Sequence, residues 1–243
     1  MEWVLRKIYQ KTWFNIDFNI LPIFISNKDI ANVDFYTCFY KEFYKRYKGY
    51  DELPKYWTQL KDEIVEHLSI LSKDKKILSI GCGNGYVESK LLEQDAPSSI
   101  VAIEPGNISS KGINQKKISL FNGLFPQAIE GRYKASDFDL IYASSIDYVF
   151  NDKQYVDFLK SVTDFGVDEF LLTEIFVPSN RFLSIAKYFI ESFFEILGLY
   201  DRGQFWGYMR SIDEHKDFLT KAGFNNFKVG SYEHGGRWIF AKK

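Results

Sequence analysis

Ile77-Leu78-Ser79-Ile80-Gly81-Cys82-Gly83-Asn84-Gly85 is a short apolar run that ends in three glycines within five residues. Such a run reads as a buried strand entering a tight turn. From Tyr86 to Glu93, Val87, Leu91 and Leu92 fall at helical spacing, so a helix begins where the glycines end. Strand, turn and helix N-terminus together let a ligand reach bare backbone and helix-end N–H groups. The spacing is G-x-G-x-G, and Tyr86 stands where a dinucleotide fingerprint needs its third glycine. A bulky residue there crowds a pyrophosphate. The turn suits a smaller, uncharged-to-cationic adenosyl ligand.

Ser99-Ile100-Val101-Ala102-Ile103 is a second strand-like run, ending in Glu104 and stopped by Pro105-Gly106. A carboxylate at that strand tip can accept both hydroxyls of a ribose. With these residues the chain resembles the class I S-adenosylmethionine-dependent methyltransferases, over roughly residues 75–243. Their first motif matches Ile77 to Gly85, and their second-strand acid matches Glu104. The resemblance implies S-adenosyl-L-methionine as cofactor and S-adenosyl-L-homocysteine as product. It places Gly81, Gly83, Asn84 and Gly85 against the methionine part and Glu104 with Pro105 at the ribose. Where the family usually has an acid for the adenine amino group stands Asn122, whose amide oxygen can accept the same bond; backbone of Gly123 and Leu124 can also reach the ring. Ser144 and Ser145 fall near the amino-acid end and Tyr148 near the methyl group.

At 243 residues the chain can bury a full core. The net charge is −1, from 31 basic and 32 acidic residues, so no global field draws nucleic acid or anionic membrane. Cys38 and Cys82 supply neither a disulfide framework nor a metal cluster, and no metal is expected. Residues 1–10 lack the apolar centre of a secretory leader, and no run of about 18 apolar residues occurs. A soluble, cytoplasmic protein, monomeric or a homodimer, is expected.

From residue 76 strands and helices alternate, the signature of an α/β fold. The expected core is a seven-stranded, mostly parallel sheet with helices on both faces and an antiparallel last strand. Its strands fall at 77–80, 100–103, 118–121, 138–144 and 170–173, with a closing hairpin at 227–232 and 237–241. Residues 1–75 are expected to form an N-terminal helical cap: Phe39, Phe43 and Tyr47, like Tyr36, Tyr40 and Tyr44, recur at four-residue steps, and Leu60, Ile64, Leu68 and Leu71 share one face. A helical insertion at about 175–210 carries Phe182, Ile185, Phe189, Phe193 and Ile196 on one stripe, expected to be core or a dimer contact.

Methyl transfer to an alcohol needs a base to take the proton. His234, in the hairpin turn, His215, after the capping box Ser211-x-x-Glu214, and Tyr148 are the candidates; His67 reads as structural. Arg202, Trp206, Tyr208 and Arg210 lie within nine residues, with Arg181 and Arg237 expected on the same side. Arginines interleaved with aromatics can clamp a carboxylate or phosphate. They point to O-methylation of a small sugar-like or phosphorylated acceptor, such as a surface-glycan precursor. On that reading Arg210→Ala raises the acceptor's KM far more than the cofactor's Kd. N-methylation of an amino sugar or small amine is the alternative, and a non-catalytic methyltransferase-like subunit is a third reading. An RNA acceptor lacks the expected basic stripe.

Overall fold

In the computed structural model the described residues are 7–106, 117–175, 177 and 181–243, without the side chains of 181–185. The chain opens with β1 (Lys7–Gln10) and a small hairpin of β2 (Thr12–Trp13) and β3 (Ile16–Asp17). Two helices follow, α1 (Val33–Arg46) and α2 (Lys55–Leu71). Asn32 caps α1 by accepting the Phe35 N–H at 3.0 Å, and Lys45 and Arg46 face its C-terminal dipole. Phe39, Phe43 and Tyr47 are buried, as their spacing predicts, and Phe35 is buried with them.

The alternating part comprises β4 (Lys76–Ile80), α3 (Tyr86–Glu93), β5 (Ser99–Glu104), β6 (Ile118–Asn122), β7 (Leu140–Ser144), α4 (Asp152–Phe165) and β8 (Glu169–Ile175). After α5 (Arg181–Ile196), β9 (Gln204–Tyr208) and α6 (Ile212–Lys221), the chain closes with β10 (Asn226–Ser231) and β11 (Arg237–Lys242). The seven-stranded sheet has the order β10-β11-β8-β7-β4-β5-β6. The four pairings from β8 through β6 are parallel, and β11 runs antiparallel to both β8 and β10. This is the expected α/β sheet.

Alternation along each strand divides the core in two. Ile77, Ile100, Leu140 and Leu171 meet Ile64 and Leu68 of α2, Leu91 of α3 and the aromatic N-terminal layer. Leu78, Val101, Ile141 and Phe170 meet Tyr155, Leu159 and Val162 of α4 and Leu219 of α6. The order reverses at β4, whose neighbours are β5 and β7. A crevice at the carboxyl ends of the strands follows from that reversal.

Three expectations change. Phe138 and Asp139 precede β7, because a 3₁₀ turn over Ala135–Asp137 delays the chain's entry into the strand. The region between β8 and α6 is not wholly helical: β9 pairs antiparallel with β1, Lys7 opposite Tyr208, closing a ribbon over the N-terminal layer. The α5 stripe is not core, since Phe189, Phe193 and Ile196 are 54%, 59% and 84% exposed, which leaves a dimer contact of the two expected roles; the side chains of Phe182 and Ile185 lie outside the described residues. No helix among the described residues is long and apolar enough to cross a membrane.

Candidate active site

A cavity of about 660 Å³ opens at the carboxyl ends of β4, β5, β7 and β8, roofed by α1 and α2. Its floor is the glycine turn. Gly81, Gly83 and Gly85 have φ of 77°, 58° and 76°, the left-handed region that side chains disfavour. The turn is anchored to the sheet by the Gly81 and Cys82 N–H groups, which donate to the Ile103 carbonyl at 2.8 and 3.2 Å. A Cβ on Gly81 would stand 2.4 Å from Ile146 Cγ2, and one on Gly83 3.2 Å from the Tyr40 hydroxyl. Backbone is therefore bare where the cavity meets it.

Glu104 ends β5 on the cavity wall and is 5% exposed. Its Oε2 accepts the Gly83 N–H at 2.9 Å and its Oε1 the Gly106 N–H at 3.1 Å. Burial pushes its carboxyl up to about 7, against these two hydrogen bonds. Asn84, Pro105, Leu124, Ser144 and Ser145 also line the cavity, whereas Gly85, Asn122 and Gly123 do not. Asn122 is engaged within the loops: its Nδ2 donates to the Gly106 carbonyl at 2.7 Å. The Gly123 N–H donates to the Glu104 carbonyl at 3.1 Å. Both support the Glu104 turn from beneath.

Beside the glycine turn stands a polar group whose lysine and glutamate sequence reading misses. Lys61 of α2 pairs with the Glu174 carboxylate and donates to Ser144 Oγ at 3.2 Å, and Ser144 Oγ in turn donates to Glu174 at 3.2 Å. The Lys61 ammonium also sits 5.3 Å from the Trp57 ring centre. Glu174 and Ser145 carry positive φ, 57° and 54°, on adjacent strand ends, strained backbone of the kind that collects at functional sites. The signal for Lys61 was available: it shares the buried face of α2 with Ile64, Val65 and Leu68, and a charge on an apolar face asks for a partner.

His234 and Tyr148 line the cavity, and His215 does not. The His234 Nδ1 is hydrogen-bonded to the Glu63 carboxylate, which also accepts the backbone N–H groups of Glu233 and His234 at 2.6 and 3.1 Å. This bond raises the His234 pKa. Tyr148 stacks on Trp206 with centroids 6.0 Å apart, and burial holds its phenol well above the usual range. His215 is fully buried behind the cavity, with Nδ1 2.8 Å from the Tyr155 hydroxyl and Nε2 3.5 Å from Asp147. Burial, then Arg210, lowers its pKa to about 3. A neutral imidazole cut off from the cavity has no route to an acceptor's proton.

The arginines disperse. Arg210 is 0% exposed, donating to Asp152 at 2.9 Å and to the carbonyls of Asp147 and Phe150 at 2.8 and 2.6 Å. It clamps the loop that presents Tyr148 rather than facing the cavity. Arg202 pairs with Glu195 at 2.8 Å and stacks on Tyr188 and Tyr9. Tyr208 and Arg237 stand outside the cavity, and the side chain of Arg181 lies outside the described residues. Trp206 does line it, buried against Trp13, Phe18 and Phe35. Among the described residues no cluster of three His, Cys, Asp or Glu side chains is arranged to hold a metal ion.

No family model matches the chain. The tRNA U34 carboxymethyltransferases of Helicobacter pylori strains HPAG1 and G27 are each 25% identical to it over 182 residues, 71% of this chain. The chain spans 64% of the length of these curated relatives. Among solved structures, the magnesium protoporphyrin IX methyltransferase of Synechocystis PCC 6803 with bound S-adenosylhomocysteine aligns with a TM-score of 0.59 at 13% identity, covering 87% of this chain and 97% of that one. Human N-acetylserotonin methyltransferase in complex with S-adenosylmethionine gives 0.56 at 15%, covering 77% and 52%. A putative O-methyltransferase from Nostoc punctiforme PCC 73102 gives 0.56 at 14%, covering 76% and 57%. Sheet order, glycine turn, strand-tip acid and these likenesses agree: the chain has the fold of the class I S-adenosylmethionine-dependent methyltransferases.

Proposed function

We propose that the chain is an S-adenosylmethionine-dependent methyltransferase acting on the hydroxyl of a small, ring-bearing acceptor. The observation that carries this reading is one cavity whose lining joins the glycine turn and Glu104, which suit a nucleoside, to the polar side chains of Lys61, Glu174, Ser144 and His234 and the rings of Tyr36, Tyr148, Trp57 and Trp206. The residues fit the cofactor: bare backbone admits it closely, and the buried Glu104 carboxylate suits a pair of ribose hydroxyls. S-adenosylmethionine, when bound, supplies an electrophilic methyl. The chain's part is to hold the acceptor oxygen in line and remove its proton.

For the proton we favour His234, whose Nδ1 is fixed by Glu63 so that Nε2 is the basic atom left for the acceptor. The Lys61–Glu174–Ser144 group orients the acceptor's polar substituent. A sugar or phosphate acceptor rested on the arginines, and Arg202, Arg210 and Arg237 stand away from the cavity. Its aromatic walls favour a flat ring instead. The curated relatives are named for tRNA, and tRNA is the competing acceptor; the net charge of −1 gives it little electrostatic support.

A screen with methyl-labelled cofactor over phenols, hydroxylated heterocycles, amines, sugar phosphates and bulk tRNA tests the reading. Turnover on ring-bearing hydroxyl compounds is expected, and turnover on tRNA alone contradicts it. With the acceptor in hand, His234→Ala is expected to lower kcat by about 10²- to 10⁴-fold. In the wild type kcat should fall as the pH drops below the raised His234 pKa, because the protonated ring cannot accept. An unchanged kcat and pH profile in the variant would remove His234 from this role and favour an amine acceptor.

A further inference from the structure

Glu88, in the first turn of α3, lies beneath the glycine turn, lines the cavity and is 1% exposed. Two hydroxyls fix one of its oxygens: Ser79 Oγ donates to Oε1 at 2.5 Å, and the Tyr142 hydroxyl donates to the same atom. Its other oxygen, Oε2, is buried and has no hydrogen-bond partner among the described residues. Neither protonation state satisfies this atom. Ionised, it lacks a donor; protonated, it lacks an acceptor. A buried carboxylate oxygen left this way is expensive, and the hydroxyls below hold it in place rather than neutralise it. The closest basic group along this wall, Lys61, is committed to Glu174 and Ser144 and acts on Glu88 only through space.

Resting on the methyltransferase reading, we propose that Glu88 Oε2 is the acceptor for the α-ammonium group of the cofactor's amino-acid arm. The geometry favours that end of the ligand. Glu104 marks the ribose on the β5 side of the glycine turn, and Glu88 lies across the turn towards β7, whose Tyr142 it contacts. An ammonium donor in this position completes the hydrogen bonding of the carboxylate and offsets its buried charge. The site then selects nucleosides that keep their aminobutyrate arm. Ser79 and Tyr142 act as positioning residues, holding the carboxylate ready before the ligand arrives.

Three probes test this by calorimetry on the full chain: S-adenosylhomocysteine, its analogue lacking only the α-amino group, and 5′-methylthioadenosine, which lacks the whole arm. The wild type is expected to bind S-adenosylhomocysteine at least about tenfold more tightly than the deaminated analogue. Glu88→Gln is expected to erase most of that preference while leaving the affinity for 5′-methylthioadenosine within about twofold, the resolution needed for a tenfold effect. Equal wild-type affinity for the two arm-bearing ligands overturns the inference even if the variant does not fold. So does a Glu88→Gln variant that keeps the preference. Uptake of none of the three overturns the proposed function itself, which is a separate failure from uptake without an ammonium preference.

Discussion

Glu104→Ala is expected to weaken S-adenosylhomocysteine binding by about 100-fold or more. Two ribose hydroxyls donating to one buried carboxylate are charge-assisted bonds worth roughly 1.5–3 kcal/mol each, and a factor of 10 is about 1.4 kcal/mol. The same side chain also ties Gly83 to Gly106, so thermal unfolding must accompany the titration. A native-like transition with unchanged affinity would contradict the assignment. The carboxyl adds a pH signature. With its folded value raised to about 7 from 4.5, its contribution to the stability of the free protein is fully present below 4.5. That contribution is lost as the pH rises through 7. Ribose hydroxyls donate to the ionised form, so ligand binding should move the opposite way. Affinity for S-adenosylhomocysteine should rise between pH 6 and pH 8, and Glu104→Gln should flatten that rise.

Arg210→Ala is expected to destabilise the fold by about 3–5 kcal/mol, because it removes a fully buried guanidinium that ties the partly exposed Asp152 carboxylate to two loop carbonyls. In a chain of this size that lowers Tm by about 10 °C. The guanidinium bridges Asp152 and two loop carbonyls and stacks at 4.6 Å on Tyr155; its loss strands all of them. Arg210→Lys should lose most of the same stability, because a single ammonium cannot span three acceptors. Read from sequence alone, this arginine belongs to the acceptor and its loss raises KM. A variant with native Tm and a raised KM would restore that reading.

What the sequence makes legible is what neighbours along the chain decide. The glycine turn, the strand-tip acid and the α3 start lie within 28 residues of one another, and local spacing reveals them. The closing hairpin is legible for the same reason. The partners of the charged residues are not. Arg210 meets Asp147 across 63 positions, Lys61 meets Glu174 across 113, and His234 meets Glu63 across 171. A run of arginines among aromatics reads identically whether it faces a ligand or stitches loops together, and only topology separates the two. The β1–β9 ribbon joins opposite ends of the chain, so neither short strand announces itself. The exposed α5 stripe shows the same limit from another side: helical periodicity reveals that a face is apolar without revealing what it meets.

Titration calorimetry of the unmodified protein with S-adenosylhomocysteine decides whether the chain takes up the nucleoside. Saturable binding of one nucleoside per chain, competed by S-adenosylmethionine, is the result expected from bare backbone at Gly81 to Gly85 beside the Glu104 carboxylate. Absence of any heat of binding, with the protein folded, would rule out a cofactor site at this turn.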